Sequence, residues 1–384
     1  MNKIKEVTVF TNGDSRKIST WSNVPYFFTE TLISKGIKVN RVDISPPYFL
    51  ERVYNKTFWR VLKIINKNSS YNYFRTFAHY IDVKRRIRKA LEKYNNSDAN
   101  IFLTFSFSSA GLTNKPTILF SDWTYDYYFK YFLNRQPDSL ERSCIKREDQ
   151  EIEASDLVFA LFPRVADYMK NHYENKNIFY LGNVVNSLLD VAKSEVLKQK
   201  SFSQDILFIG SKKYIEGAKY LIEAYTSLKE KYPQLSLNIV GMQDKDFVKL
   251  PDGVNCYGYL DKAKEKDREL YYSLLVKAKV FVNTTPKWGT PSAMLEAMYF
   301  YTPVVVTAYD EFVETFGVDI NFGYYCENNS IALLCSKISN VFENESYESL
   351  CINAHKSVEN YTWSSYIDKL LVRIDALTQE KIYR

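Results

Sequence analysis

The stretch Val280-Phe-Val-Asn283, then Trp288-Gly-Thr-Pro-Ser-Ala-Met-Leu-Glu296-Ala-Met298, then Pro303-Val-Val-Val-Thr307 decides the fold. Two short apolar runs rich in β-branched residues flank a tight loop and a segment with helical spacing. This reads as strand, loop, helix, strand. Gly289 lets the backbone approach a ligand closely. Thr290 can cap the helix, with Pro291 at its first position and Ser292 next. The first-turn amides of such a helix are unpaired and carry the positive end of its dipole, so they suit a diphosphate. Glu296, further along the helix, can accept hydrogen bonds from a sugar diol. The same pattern also describes a plain buried βαβ unit with a solvated Glu296, and the segment alone leaves both readings open.

Working outward, short apolar runs alternate with amphipathic stretches along the whole chain. In the first half the spacing predicts strands at Glu6–Thr11, Lys38–Ile44, Asn100–Phe105, Thr117–Phe120, Leu157–Leu161 and Ile178–Leu181. Helical spacing fills Val24–Lys35, Ile81–Tyr94 and Leu140–Ala154. The second half starts a fresh series at Asp205–Ile209, Ser236–Val240, Val254–Tyr257, Val280–Asn283, Val304–Thr307 and Tyr324–Cys326. Its helices are expected at Glu216–Lys231, Lys266–Ala278, Ala293–Phe300 and Ile331–Glu343. Strands alternating with helices imply parallel sheets covered on both faces, so the expected class is α/β with two doubly wound, Rossmann-like domains. The break is placed in the polar stretch Asn183–Gln204. This gives domains over 1–185 and 186–360, with a cleft between them expected to hold ligand. In 361–384, Trp363, Tyr366, Leu370, Leu371 and Ile374 recur on one face of a closing helix.

Composition bounds the function. The 384 residues suit two domains. A formal charge of +6 permits an anionic ligand or membrane surface but does not call for nucleic acid. No apolar run approaches a membrane span of roughly 20 residues. The first residues lead into a strand without the apolar core of a signal peptide. Cys144, Cys256, Cys326, Cys335 and Cys351 are scattered, with no Cys-x-x-Cys pair and no cluster with His. A cytoplasmic protein is expected.

Few constellations carry chemistry alone. His79, His172 and His355 sit beside no nucleophile pattern and read as surface or packing residues. Gly-x-Gly-x-x-Gly and Walker motifs are missing, which argues against a nicotinamide enzyme or an ATPase. Asp244-Lys-Asp246 has a spacing that can hold a divalent metal, but in its polar setting it reads as a solvated loop. The loop Thr11-Asn-Gly-Asp-Ser15 follows the first strand, where ligands of parallel sheets bind, and Thr20-Trp-Ser-Asn-Val-Pro-Tyr-Phe27 follows it into a helix. Phe208-Ile-Gly-Ser-Lys-Lys-Tyr214 places Lys212 and Lys213 at a strand's carboxyl edge, where they suit phosphate. Asp122, after another strand, is either a cleft carboxylate or a turn residue. Aromatic and basic residues interleave over 48–91. That region is either a face for an anionic membrane or an ordinary helical excursion.

Several of these segments resemble the retaining glycosyltransferases of family 4, which have the GT-B fold. The match is carried by Asp205-Ile-Leu-Phe-Ile-Gly210 with Gly217–Tyr225, by Leu235–Gly241, by Val254–Leu260, and by Asn360-Tyr-Thr-Trp363. Pro291–Met298 with Thr302–Val306 is the most specific stretch. The resemblance covers most of residues 200–370 and the first half loosely. It implies a nucleotide-sugar bound mainly by the second domain and an acceptor bound mainly by the first, with 361–384 crossing back to the first domain. Glu296 would hold the ribose, and Gly289, Thr290, Pro291 and Ser292 would meet the diphosphate or donor sugar. Gly210, Ser211, Lys212 and Lys213 would line the diphosphate, and Tyr259 would flank the base. Three positions depart from the family pattern. Trp288 stands where the first of two glutamates belongs, Ser211 where an arginine does, and Glu216 where a lysine does. Lys212 and Lys213 can replace the lost cations, and Trp288 can stack on a sugar.

The expected activity is transfer of a sugar from a UDP- or GDP-type donor to a glycan or lipid-linked acceptor, with retention and without metal or cofactor. Gly13, Asp14, Trp21, Ser22 and Asn23 are the acceptor-side candidates and Asp122 the catalytic one. By analogy the product is a bacterial surface polysaccharide or lipid-linked glycan, made in the cytoplasm or at the inner membrane face. The departures leave a second reading, a non-catalytic GT-B partner or scaffold in glycan assembly, and a third, a sugar epimerase.

Overall fold

The computed structural model describes residues 4–190, 192–284, 292–327 and 330–382. The chain forms two compact units, Met1–Asn183 with Trp363–Arg384, and Val184–Thr362. In the first, strands β1 (Glu6–Thr11), β2 (Lys38–Asp43), β3 (Ala99–Phe102), β4 (Thr117–Ser121), β5 (Leu157–Ala160) and β6 (Ile178–Tyr180) make one parallel sheet, ordered β2-β1-β3-β4-β5-β6. In the second, β7 (Asp205–Ile209), β8 (Ser236–Val240), β9 (Val254–Cys256), β10 (Val280–Asn283), β11 (Val304–Val306) and β12 (Gly323–Tyr325) make another, ordered β12-β11-β10-β7-β8-β9. Both are the α/β, doubly wound sheets expected from the alternating pattern.

The central strands are buried along their whole length because helices cover both faces, as their continuous apolar runs require. Register follows from side-chain fit. Phe10 of β1 pairs with Phe102 of β3, and their rings stack at 4.3 Å. In each sheet the first strand has its sequence successor on one side and a later strand on the other. β1 lies between β2 and β3, and β7 lies between β8 and β10. The carboxyl ends of β1 and β3, and of β7 and β10, therefore flank switch points, where doubly wound sheets open a crevice.

Trp363–Ile382 is one helix of the first unit. Trp363 stacks on Phe27 at 6.3 Å, Tyr366 packs on Phe120, and Lys35 pairs with Asp368 at 2.7 Å. The five aromatic and aliphatic residues expected on its inner face are all buried.

Helices also form at Pro163–His172, Asp310–Phe316 and Tyr347–Val358, where the sequence pattern places none, and two further regions differ from it. The polar stretch between the sheets contains a helix, Lys193–Phe202. Its buried face is Val196 with Lys200, so no apolar stripe marks it. The Lys200 ammonium donates to Leu275 O, Ala278 O and Thr302 Oγ1, each at 2.8 Å, and so satisfies the last carbonyls of the helix Glu265–Lys277. The aromatic and basic region forms two short helices, Tyr48–Lys56 and Phe58–Ile65, neither of which has a buried residue. The cations beyond them have other uses. Lys84 pairs with Glu151, and Arg86 binds Asp82 and three backbone carbonyls. No described helix is long and apolar enough to cross a membrane.

Candidate functional site

In the second unit, three loops meet at the carboxyl edge of β7, β8 and β9. Gly210 N donates to Val240 O, and Gly241 N donates to Gly258 O. Gly241 has φ +99°, and a Cβ there would lie 2.4 Å from Gly210 O. The close approach fixes the backbone of Gly210 and Ser211, which leads through a turn at Lys212–Tyr214 into the helix Ile215–Lys231. On the other side of the switch point, Thr284 follows β10 and donates to Gly217 O at 2.6 Å, tying that loop to the head of the same helix. Trp288, Gly289, Thr290 and Pro291 lie outside the described residues. Ser292 opens the helix Ser292–Tyr299, which carries Glu296.

The Glu296 carboxylate is buried and engaged. Lys262 donates to Oε1 at 2.6 Å and to Oε2 at 2.8 Å, and the Tyr271 hydroxyl donates to Oε2 at 2.8 Å. Lys262 also lies over the Tyr271 ring at 4.3 Å and reaches Asn186 O at 3.3 Å. Burial, followed by the neighbouring carboxylate, pushes the Tyr271 hydroxyl far above its ordinary range, so it stays a donor. Among the described residues the carboxylate thus meets Lys262 and Tyr271, and the Tyr272 hydroxyl also interacts with it.

Lys262 and Tyr271 were not singled out from the sequence. Lys262 sits in Asp261-Lys-Ala-Lys-Glu-Lys266, where alternate lysines look alike and the partner is 34 residues away. Lys212, expected at the phosphates, pairs with Asp246 at 2.7 Å and is mostly exposed. Asp244 and Asp246 lie in a turn in which Asp246 also caps Gln243 N. Lys213 lies over the Tyr214 ring at 4.7 Å. Tyr259 is exposed beside Leu260 in the loop after β9.

In the first unit, Gly13 follows β1 with φ +106°, and its N–H donates to Asp43 Oδ1 at 3.0 Å. Asp14 O accepts from Thr20 Oγ1 at 2.8 Å, closing the loop. Trp21, Ser22 and Asn23 then have φ of 36°, 52° and 72°. Three successive left-handed residues without a glycine cost roughly 1–2 kcal/mol each. Packing holds them. The Trp21 ring meets Phe120 edge-on at 6.1 Å, and Asn23 is buried at the head of the helix Val24–Ser34. Such strain marks sites where geometry matters more than stability.

Asp122, after β4, is brought together with this turn. Its carboxylate accepts from Trp123 N at 2.9 Å, from Ser121 Oγ at 3.3 Å, and from the Trp21 side chain. Part of the residue's surface is open, but its carboxyl is sunk among protein atoms. Burial pushes its pKa above the usual carboxylate range, while these hydrogen bonds pull it back. Sequence reading put Asp122 and Trp21 in different roles, and the structure joins them. Nearby, Glu148 accepts from Tyr125 N at 2.6 Å and from Ser106 Oγ at 3.0 Å, and burial raises it to about 8.

Two doubly wound parallel sheets in separate units, with a conformationally fixed loop and a buried helix carboxylate at the second sheet's switch point, define the GT-B class. The profile of the glycosyl transferases group 1 family matches residues 192–358. The match lies within the second unit, Val184–Thr362, and that unit resembles the group 1 glycosyltransferases. A relative from Haemophilus influenzae, described as an uncharacterized glycosyltransferase, is 24% identical over 185 residues, 47% of this chain and 50% of its own length. The chain thus spans about half the length of the curated relative it matches. Among solved structures, sucrose-phosphate synthase from Thermosynechococcus elongatus shares the fold with a TM-score of 0.65, 14% identity and 99% coverage of both chains. A variant of TarM from S. aureus, in complex with Fondaparinux, alpha-GlcNAc-glycerol and UDP, gives a TM-score of 0.56 at 19% identity, over 75% of this chain and 58% of its own.

Proposed function

We propose that the chain transfers a sugar from a nucleoside-diphosphate donor to a glycan or lipid-linked acceptor, with retention at the anomeric carbon and without a metal or cofactor. One observation carries the reading. The buried Glu296 carboxylate is held by Lys262 and Tyr271, on the helix that follows β10. In this reading that carboxylate receives a ribose hydroxyl. The Gly210–Ser211 backbone, Lys212 and Lys213 meet the diphosphate as its bond to the anomeric carbon breaks and charge builds on the leaving oxygen. The UDP in the TarM complex supports a uridine nucleotide. In the first unit, Asp122 and the Trp21–Asn23 turn serve the acceptor. We place the work in the cytoplasm, at the inner membrane face when the acceptor is lipid-linked.

The test is release of nucleoside diphosphate from a panel of UDP- and GDP-sugars, with the anomeric configuration of any glycoside read by NMR. The expected result is release with at least one donor, a retained configuration, and a large loss in Glu296→Ala. The replacements at Ser211 and Glu216 keep the scaffold reading in view. That reading wins if no donor is turned over with any acceptor and Glu296→Ala is silent in cells.

A further inference from the structure

The two helices Tyr48–Lys56 and Phe58–Ile65 present an apolar surface that the described residues of the unit leave exposed. Tyr48 is 75% exposed, Phe49 71%, Ile64 80% and Ile65 78%, with Val53, Phe58 and Val61 also open. In the second helix Phe58, Val61, Ile64 and Ile65 fall within an arc of about 120° at 100° per residue. The opposite side is the anchor. The Tyr54 hydroxyl donates to Tyr71 O at 2.6 Å and its ring meets Tyr73 at 5.7 Å, while Lys63 donates to Ser69 O at 2.7 Å. The pair is therefore fixed to the unit by one face and displays the other.

Charge says what covers that face. Arg52, Lys56, Arg60 and Lys67 are exposed around the apolar residues, and Glu51 is the one acid between 48 and 67. A second copy would bring like charges together. Tyr48, Phe49 and Phe58 can stack on nucleic-acid bases, but Val53, Val61, Ile64 and Ile65, including the two most exposed residues of the face, give bases no stacking surface. Apolar side chains at the centre with basic groups around them match the boundary between acyl chains and anionic headgroups.

We propose that residues 48–67 dock this chain on an anionic lipid surface, with Phe49, Val53, Phe58, Val61, Ile64 and Ile65 entering the interface. Arg52, Lys56, Arg60 and Lys67 meet the headgroup phosphates. None of these residues takes part in the donor or acceptor reading, so the two proposals fail separately.

The experiment is co-sedimentation of the intact chain with phosphatidylcholine vesicles with and without phosphatidylglycerol, across a salt series. The expected result is binding that requires phosphatidylglycerol and weakens with salt. Each basic group contributes about fivefold, so Arg52→Ser with Arg60→Ser weakens binding about 25-fold. Ile64→Ser with Ile65→Ser removes the binding that persists at high salt. Both pairs are exposed, and circular dichroism and UDP titration should match the wild type. No binding to either vesicle overturns the proposal, as does equal binding to both. A dimer seen by light scattering that Ile64→Ser with Ile65→Ser dissolves also overturns it, because a second copy is then the occupant.

Discussion

Separating the Lys262–Glu296 pair should destabilise the second unit strongly, and removing both charges should restore much of the loss. The side chains are 10% and 4% exposed and meet at 2.6 Å. In Glu296→Gln the Lys262 ammonium loses its counter-charge and keeps neutral partners, among them the Asn186 carbonyl and the Tyr271 and Tyr272 ring faces. In Lys262→Met the buried carboxylate loses its counter-cation and keeps neutral donors such as the Tyr271 hydroxyl. Stranding a buried charge costs about 3–5 kcal/mol. Each single variant should therefore lose about that much, and the double variant, which strands no buried charge, should cost less than either single variant. Hydrogen exchange read on Glu265–Lys277 and Ser292–Tyr299 reports this locally and keeps the first unit out of the measurement. A coupling below about 0.5 kcal/mol would show that the two groups do not act as a pair, and the argument for how Glu296 is held would fail.

Gly241→Ala should cost about 2 kcal/mol or more, from its positive φ and a Cβ driven onto Gly210 O, and should weaken nucleotide binding by moving the Gly210–Ser211 backbone. Thermal melts and a UDP titration check both. His79 is buried, among the described residues neither ring nitrogen has a hydrogen-bond partner, and burial, then Arg86, lowers it to about 4 from 6.5. The unfolded chain binds this proton first, so its contribution is complete above pH 6.5 and is lost as pH falls towards 4. His79→Leu should flatten that part of the stability profile relative to wild type in urea melts. Trp21→Phe keeps the ring against Phe120 but removes the indole donor to Asp122, so the Asp122 pKa should rise further. If ionised Asp122 works in turnover, the acid limb of kcat/KM should move to higher pH, and an unmoved limb would remove Asp122 from that role.

The sheets were legible because a strand covered on both faces must be apolar throughout, as Val280–Asn283 and Val304–Val306 are. All twelve strands lie where such runs predict them, within a residue or a few at their ends. Helices were less visible where a polar group fills an inward position. Lys193–Phe202 buries Lys200, whose role depends on carbonyls some 75 residues away. At the site, Glu296 stood out through its place after a strand and loop, whereas Lys262 and Tyr271 reach it only in three dimensions. The left-handed run Trp21–Asn23 was invisible for a different reason. Trp and Ser carry no signature for positive φ, and tertiary packing imposes it.

The central claim is that the Glu296 site binds the nucleoside of a nucleotide-sugar, and calorimetric titration of the intact chain with UDP and GDP tests it most directly. The comparison is Lys262→Met with Glu296→Gln, which keeps the buried charge balanced. A hydrogen bond to a charged group is worth about 1.5–3 kcal/mol. Saturable binding of one nucleotide by the wild type, weakened about tenfold or more in the double variant, is the predicted result. Absence of binding by either nucleotide, or equal affinity in the variant, would contradict it.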